Sequence, residues 1–450
     1  MGARRSVVPA YLFACLLFGG STQIAWGNAI LQLGAIAIIV WAALSRTRAK
    51  LPSGARALAW LVAGMTGLVA LQFVPLPAAV GAAIPGRMMV RDGLLELGLA
   101  PGWQSLSLAP YDTVSAALAL LPPLAVLAAV VMLRAYSRTG ITVAVLAGAM
   151  SGLVLGGAQV GSPMANAEQY YLQLEVNAGT PSGFFANPNH MATLLLVAFP
   201  FAAALLESGL ARDGRLADPR RVAAGGGTMA VLIVGLVLNR SLAGWGLLLP
   251  VVMASLAIIL PTRWRRGGAI VAGVGTLALA LILLSPAVRA RFNGDAATSV
   301  STRQEYFTTS LAVARTYAPF GSGIGSFARV YRMKEDPRGV DATIFVNHAH
   351  NDYVELLVET GVPGAVLVLL FLLWWGRTAL AMLRTPSADV YARAGAVASA
   401  AILLHSVVDF PLRTSAISAC LALSIGLMIV SCRRARSAGD LRPTRHIEIR

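Results

Sequence analysis

The sequence predicts an all-α membrane protein that crosses the bilayer about twelve times. Of its 450 residues, 57% are hydrophobic and only 12% are charged. The apolar residues form runs of about 20, which is the length that an α-helix needs to cross a ~30 Å hydrocarbon core. Arginine-rich gaps separate these runs, as is typical of the connections between membrane spans.

The apolar runs divide the chain into membrane segments and long connections. The predicted spans are 7–24, 28–45, 56–74, 113–133, 140–160, 187–207, 222–239, 242–260, 268–286, 361–383, 390–409 and 412–431. The predicted organisation is therefore spans one to nine in 1–286 with loops near 75–112 and 161–186, a helical loop in 287–360, spans ten to twelve in 361–432, and a basic tail in 433–450.

The distribution of charge predicts the orientation of these spans. The chain has 36 Lys and Arg against 20 Asp and Glu, and a net charge of +16. If the N-terminus is cytoplasmic, most basic residues fall in cytoplasmic gaps and most acidic residues fall on the opposite side. The positive-inside rule therefore predicts that both termini are cytoplasmic. Because this orientation explains the net charge, we expect membrane contact and no nucleic-acid partner.

The long non-cytoplasmic loops differ in their expected structure. The proline-rich segment 75–112 has scattered apolar residues and is expected to lie on the membrane surface as broken amphipathic pieces. Residues 302–317 alternate apolar and polar positions near helical period and precede Pro319, which predicts a short helix. The following GxGxG at 321–325 is interpreted as a flexible turn, because the rest of a nucleotide-binding pattern is missing.

The densest group of ionisable residues is the stretch Asn347–Gly364. It places His348 and His350 beside three acidic residues in a chain that is otherwise poor in charge. Asn351, Glu355 and Glu359 follow at a spacing of four, which predicts three polar groups on one helical face. The glycines and proline of 361–364 are expected to break or cap that helix.

Other unusual polar residues are expected at the same depth in the membrane. Ionisable groups at membrane depth are costly, so their convergence from several segments favours one site facing the exterior. Each also has a structural interpretation: Arg240 as the end of a helix, His190 as a partner of nearby backbone, and His405 with Asp409 as a satisfied pair. The residues in question are His190, Arg240, Arg303, His405 and Asp409.

Two kinds of chemistry are compatible with this set. Histidine can accept a proton from a hydroxyl near neutral pH, and arginine binds phosphate oxygens with bidentate, charge-assisted hydrogen bonds. Together they indicate group transfer from a phosphorylated donor. The alternative is a metal site formed by His348, His350 and Asp352. That alternative is weaker, because no third histidine stands at a recognisable spacing.

The sequence resembles the O-antigen ligase and O-antigen polymerase superfamily of bacterial inner-membrane glycosyltransferases. The resemblance is strongest at His350-Asn351-Asp352-Tyr353-Val354-Glu355, with Glu359 and Gly361–Gly364 after it. Supporting blocks are Gly183–Ala192, Arg240-Ser241, the Arg303 segment running to Gly321, and His405–Asp409. The Arg240 turn departs from the family pattern, because relatives often have a Ser-Arg pair there.

The resemblance implies transfer of a glycan from a polyprenyl (undecaprenyl) diphosphate carrier to an acceptor hydroxyl at the periplasmic face of the inner membrane. It implies inversion at the anomeric carbon, with no metal and no cofactor. The loop 287–360 would be the periplasmic catalytic loop, with His350 and Glu355 as catalytic residues and Arg240 and Arg303 holding the donor diphosphate. Supporting roles would fall to His348, Asn351, Asn187, His190, His405 and Asp409.

Several functions remain open at this stage. Ligation to lipid A core, polymerisation of repeat units and transfer to protein hydroxyls share these motifs, and only family convention favours the ligase. Either His348 or His350 could be the base. A secondary transporter with about twelve spans is the rival from another class, but transporters usually bind substrate near mid-bilayer. Here the polar residues gather at one end of the predicted spans.

Overall fold

The computed structural model describes residues 2–21, 25–45, 53–162, 168–172, 179–210, 217–259, 295–335, 345–385 and 388–439. Its helices of six or more residues are α1 (Gly2–Phe18), α2 (Ala25–Leu44), α3 (Ser53–Leu71), α4 (Ala78–Ala83), α5 (Met88–Glu96), α6 (Pro110–Ala119), α7 (Leu121–Ala128), α8 (Arg138–Gly161), α9 (Pro188–Glu207), α10 (Pro219–Asn239), α11 (Leu242–Ile259), α12 (Asp295–Tyr317), α13 (Phe327–Arg332), α14 (Asp352–Arg384), α15 (Val390–His405) and α16 (Ser415–Gly439).

The helices confirm an all-α polytopic membrane protein. In the described part of the chain, eight helical segments are long and apolar enough to cross a membrane: α2, α3, the continuous stretch Pro110–Leu133, α8, α9, α10, α11 and α14. The apolar helices α15 and Ser415–Ser431 are shorter. The predicted span 268–286 lies outside the described residues. The predicted tail 433–450 begins inside α16, and its remainder beyond 439 also lies outside them.

The first helix is shorter than the predicted span 7–24. It ends at Phe18, where the chain passes close to two other segments. The amide of Ala416 donates to the Gly19 carbonyl at 3.1 Å. A Cβ on Gly20 would lie 2.1 Å from the carbonyl oxygen of Phe184. The two glycines therefore end the helix at a point where only a bare backbone fits.

Helix α9 forms the centre of the bundle. In its apolar window 83% of the residues are buried, against 17% for α3. It packs against α8, α10, α11 and α15. Its start has a local cause: Pro188 occupies the first turn, and the Asn187 side chain accepts a hydrogen bond from the amide of Asn189 at 2.8 Å. A helix enclosed in this way holds the side chains at its N-terminal end in fixed positions.

The segment after α3 contains more structure than its sequence predicts. The short helices α4 and α5 agree with the expected broken pieces. The two-residue strands β1 (Pro75–Leu76) and β2 (Gln104–Ser105), which pair antiparallel, were not predicted. The two strands are too short to show a period-2 pattern in the sequence.

A kink divides α14 beside the GxGxG turn. Gly361 has φ 61° and ψ −154°, so the predicted break of the helix is confirmed. The turn that follows α12 packs against this kink: the amides of Ser322 and Gly323 donate to the carbonyls of Val358 and Glu359 at 3.0 and 2.9 Å. The GxGxG is therefore a turn, as expected, but one held by hydrogen bonds.

The Gly361→Ala substitution tests the kink. The conformation of Gly361 is essentially restricted to glycine, and a Cβ there would lie 2.1 Å from the Pro319 carbonyl oxygen. We expect a loss of about 2 kcal/mol or more in the free energy of unfolding, measured by thermal unfolding in detergent. Gly376→Ala, in the same helix with nothing within 4 Å of its Cβ, is the control and should cause no loss. Equal stability of the two variants would contradict this account of the kink.

Candidate active site at one end of the helix bundle

Four segments meet at the end of the bundle where α9 begins. They are the block before and at the start of α9, the helix α12, the segment 348–360, and the turn 405–413 that follows α15. Each of them carries residues that the sequence singled out. The structure brings most of these residues together around two charged side chains, Asp409 and Arg413.

The carboxylate of Asp409 is the centre of the first cluster. Its side chain is fully buried, and it lies 3.7 Å from His190 Nε2, 3.8 Å from His350 Nδ1 and 3.8 Å from Arg303 Nη2. The backbone amide of Phe410 donates to the same carboxylate at 2.8 Å. Three sequence-predicted residues, each from a different segment, thus contact one anion.

Two asparagines extend this cluster into the bundle. Asn187 Nδ2 donates to Asp409 Oδ1 at 3.4 Å, and Asn189 Nδ2 donates to Asp409 Oδ2. The side-chain oxygen Oδ1 of Asn189 in turn accepts from the Ser241 hydroxyl at 2.7 Å. We call Asp409, His190, His350, Arg303, Asn187 and Asn189 the Asp409 cluster.

His405 has a different partner from the one that its spacing suggested. Although His405 and Asp409 are four residues apart, the imidazole Nδ1 of His405 lies 2.8 Å from the Thr193 hydroxyl of α9. His405 is completely buried. It therefore joins α15 to α9 behind the cluster, while Asp409 faces the other segments.

Burial and the neighbouring charges decide the protonation states of Asp409 and His350. Burial alone would raise the pKa of Asp409, but His190, His350 and His405 hold it well below its usual range. Burial lowers the pKa of His350; Asp409 partly opposes this lowering, and Arg303 adds a smaller lowering of its own. Asp409 is therefore an anion and His350 a neutral imidazole near pH 7.

Aromatic rings fix the orientation of the imidazoles. The ring of His348 stacks on Phe410 with centroids 4.2 Å apart, and the rings of His190 and His350 meet Phe410 edge-on at 4.8 and 4.9 Å. Tyr306 of α12 stacks on His350 at 5.5 Å. Phe410 thus lies between three histidines, and its ring contacts restrict the orientation of each imidazole.

A second cluster surrounds Arg413, which the sequence analysis did not single out. Its guanidinium lies 2.8 Å from Glu359, 3.3 Å from Glu355 and 3.6 Å from Asp352. The carboxylates raise the pKa of Arg413 against the lowering effect of its own burial. We call these four residues the Arg413 cluster. The available signal was that Arg413 stands four residues after Asp409 in a chain otherwise poor in charge.

Glu355 is fully engaged inside the protein. One oxygen accepts from His348 Nδ1 at 2.8 Å and the other from the amide of Ala349 at 2.9 Å. Its side chain is only 1% exposed. This arrangement orients His348 and leaves the carboxylate almost no exposed surface.

The two histidines of the HxH pair face different carboxylates. His348 pairs with Glu355, whereas His350 lies beside Asp409. In the described part of the chain, no group of three or more His, Cys, Asp or Glu side chains has a metal-binding arrangement. Asn351 accepts from the amides of Tyr353 and Val354 and so caps α14.

Arg240 lies beside the site but outside the Asp409 cluster. It has φ 60° at the end of α10, and its side chain is exposed. None of the described residues forms a hydrogen bond or ion pair with its guanidinium. Its two neighbours bond to the segment before and at the start of α9. The Ser241 hydroxyl donates to the Asn189 side chain, and Asn239 Nδ2 donates to the Pro181 carbonyl at 2.9 Å. Arg240 is thus a cation with no partner in the described part of the chain, on a turn whose backbone is fixed.

Comparison with known families agrees with this arrangement. Residues 227–369 match the family model Wzy_C, described as O-Antigen ligase. This match supports the resemblance of the chain to the O-antigen ligase and polymerase superfamily. Members of this superfamily are glycosyltransferase-like enzymes. No curated protein matches the chain.

The O-antigen ligase match covers only part of the site. It includes Arg240, Arg303 and His350, and it ends at 369, before Asp409 and Arg413. The side chains inside the match therefore depend on partners outside it for their positions. This dependence is seen directly in the contacts of Asp409 with His350 and Arg303.

The Asp409→Asn substitution tests the central carboxylate. It removes the buried anion on which Arg303 and His190 converge, so we expect the free energy of unfolding to fall by about 2–4 kcal/mol. The measurement is thermal unfolding in detergent at pH 7. Asp112→Asn is a matched control, because the Asp112–Arg329 pair is largely exposed and should contribute about 0–1 kcal/mol. Similar losses in both variants would refute the central role of Asp409.

Proposed function

We propose that the chain transfers a glycan from a polyprenyl diphosphate carrier to an acceptor hydroxyl, with the reaction at the periplasmic face of the bacterial inner membrane. The observation that carries this proposal is the pairing of a neutral imidazole with a guanidinium: His350 and Arg303 both lie 3.8 Å from Asp409. The first group suits a proton acceptor and the second a phosphate ligand. The O-antigen ligase match supports the same reaction class.

The donor would bind through its diphosphate. The side chain of Arg303 is 28% exposed, which leaves guanidinium nitrogens accessible beside the buried Asp409. Arg240 is exposed on the adjacent turn and carries no partner among the described residues, so it is available to a phosphate oxygen. Arginine binds phosphate in a bidentate, planar geometry. The polyprenyl tail would then extend between the apolar helices.

The transfer step uses His350 as its one base. The acceptor oxygen attacks the anomeric carbon, and its proton passes to the imidazole of His350. The bond between that carbon and the phosphate oxygen breaks, and the polyprenyl diphosphate leaves with the electron pair. Attack from the face opposite the leaving group inverts the anomeric configuration. The energy comes from the activated donor, so no metal or cofactor is required.

The structure supports His350 as the base for two reasons. It has φ 50°, which directs its side chain out of the regular path of the backbone towards Asp409. The stacked ring of Tyr306 and the nearby carboxylate restrict its orientation. A base with a set orientation and a pKa below neutral pH is ready to accept a proton. His348, which is bonded to Glu355, is the second candidate.

Ligation to a lipid A core or similar acceptor is the proposed activity within the superfamily, since the matching family is described as O-antigen ligase. Glycan analysis of a strain that lacks this chain tests it. A ligase predicts loss of long glycan from the lipid acceptor. Loss of chain length would indicate a repeat-unit polymerase, and loss of glycosylated protein would indicate a protein O-oligosaccharyltransferase. An unchanged glycan profile would refute all three.

His350→Ala tests the base. We expect turnover of the lipid-linked donor to fall by about 10²–10⁴-fold, because proton transfer from the acceptor loses its partner. Membrane insertion and thermal stability should remain close to those of the wild type. His348→Ala is the comparison variant and should retain more activity. If His348→Ala lost the activity and His350→Ala kept it, the base would be His348.

Arg303→Ala tests the phosphate contact. Loss of a charge-assisted hydrogen bond should raise the KM for the lipid-linked donor by about tenfold or more. The acceptor KM should change little. Arg329→Ala is the matched control, because Arg329 is an exposed arginine paired with Asp112. A donor KM equal to the wild-type value in Arg303→Ala would exclude a phosphate role for Arg303.

A further inference from the structure

Two chain segments contribute residues to both clusters. The segment 348–360 carries His350 together with Glu355 and Glu359. The turn 405–413 carries Asp409 together with Arg413. The segment 348–360 thus supplies His350 and the carboxylates that Arg413 contacts. The turn 405–413 supplies Asp409 and Arg413 itself. The position of His350 relative to Asp409 is therefore coupled to the contacts of Arg413.

The Arg413 cluster is well suited to fix that position. The side chains of Glu355 and Glu359 are each 1% exposed, that of Asp352 is 7% exposed and that of Arg413 17%. Buried carboxylates need a charged or hydrogen-bonding partner. Arg413 reaches Glu355 through Nε and Glu359 through Nη1, which uses the forked geometry of a guanidinium. A lysine ammonium in its place has one charge centre for the same carboxylates.

Further hydrogen bonds join the same two segments. The amide of Asp352 donates to the Ser406 carbonyl at 3.0 Å, and the amide of Leu412 donates to Asp352 Oδ2 at 3.2 Å. Asn351 Nδ2 donates to the Val407 carbonyl at 2.7 Å. These bonds join the two segments, and Arg413 adds charged contacts between them.

The Arg413 cluster also reaches the segment that carries Arg303. The other oxygen of Glu359 accepts from the amide of Gly325 at 2.8 Å. The amide of Gly323 donates to the Glu359 carbonyl at 2.9 Å. Glu359, which pairs with Arg413, therefore also holds the GxGxG turn that follows α12. Three segments of the site meet at one guanidinium and its nearest carboxylate.

We propose that Arg413 is a positioning residue for the transfer reaction: by holding Glu355 and Glu359 it sets His350 opposite Asp409. This inference rests on the proposed function for its catalytic consequence. Arg413 does not contact the donor or the acceptor. Its loss changes the geometry in which His350 works and leaves the Arg303 contact with the diphosphate in place.

The test uses the purified full-length protein with a polyprenyl-diphosphate-linked glycan as donor. In Arg413→Gln we expect kcat to fall by at least about tenfold, because the base is misplaced, while the donor KM stays within about threefold. Arg413→Lys keeps the charge and should recover part of kcat. The double variant Arg413→Gln/Glu359→Gln removes one carboxylate with the guanidinium and provides a folded protein if the single variant is unstable. Arg329→Gln is the surface control, with wild-type kcat expected.

A second measurement does not depend on turnover. The chain has five histidines, so ¹³C-labelled histidine resonances can be followed by NMR and the His350 signal assigned with His350→Gln. Burial, Arg303 and His348 lower the pKa of His350, whereas Asp409 and Glu355 raise it. If His350 moves away from Asp409 in Arg413→Lys, its pKa should fall further. The acid limb of kcat/KM should then move to lower pH.

The two readouts separate the inference from the proposed function. If the His350 titration changes in Arg413→Lys but the wild-type protein turns over no glycan donor, the positioning role is supported and the glycosyl transfer is refuted. A folded Arg413→Gln protein, or its double variant, with wild-type kcat and an unchanged His350 titration would overturn the inference. Loss of stability with an unchanged His350 titration would also overturn it, because Arg413 would then be structural only.

Discussion

The site depends on one buried carboxylate. Asp409 has no exposed side-chain surface, and an isolated anion in that position would be strongly destabilising. It is stable because hydrogen-bond donors and cations from separate segments surround it. The start of α9, the helix α12 and the segment with His350 must therefore meet at this point. Their partners for the carboxylate are Asn187, Asn189, His190, Arg303 and His350.

The second cluster has the opposite charge pattern. Arg413 is a cation among carboxylates, whereas Asp409 is an anion among one guanidinium, two imidazoles and two amide donors. The two residues stand four positions apart on one turn, so the clusters share their supporting backbone. A network of this kind, with partners on every side, restricts the site to one arrangement. It leaves Arg303, Arg240 and His350 partly accessible to a substrate.

The location of these clusters bears on the class of protein. A secondary transporter would hold its substrate groups near the middle of the bilayer. Here α9 is packed with apolar residues along its length, and its two ionisable residues, His190 and Glu207, lie in its first and last turns. The polar groups gather at one end of the bundle, next to the segment 348–360. This arrangement suits a reaction in which a lipid-linked donor and a polar acceptor meet at the membrane surface.

The sequence by itself determined the features that depend on local signals. Long apolar runs predicted the helices, Pro319 marked the region in which α12 ends, and Gly361 predicted the break in α14. It also selected most members of the Asp409 cluster, because ionisable residues are rare in this chain. Only the tertiary structure decided that Asp409 is the centre, that Glu355 is buried behind His348, and that Arg413 joins the segments. Those facts depend on contacts between residues as far apart as 222 positions, which helix packing creates and no local pattern encodes.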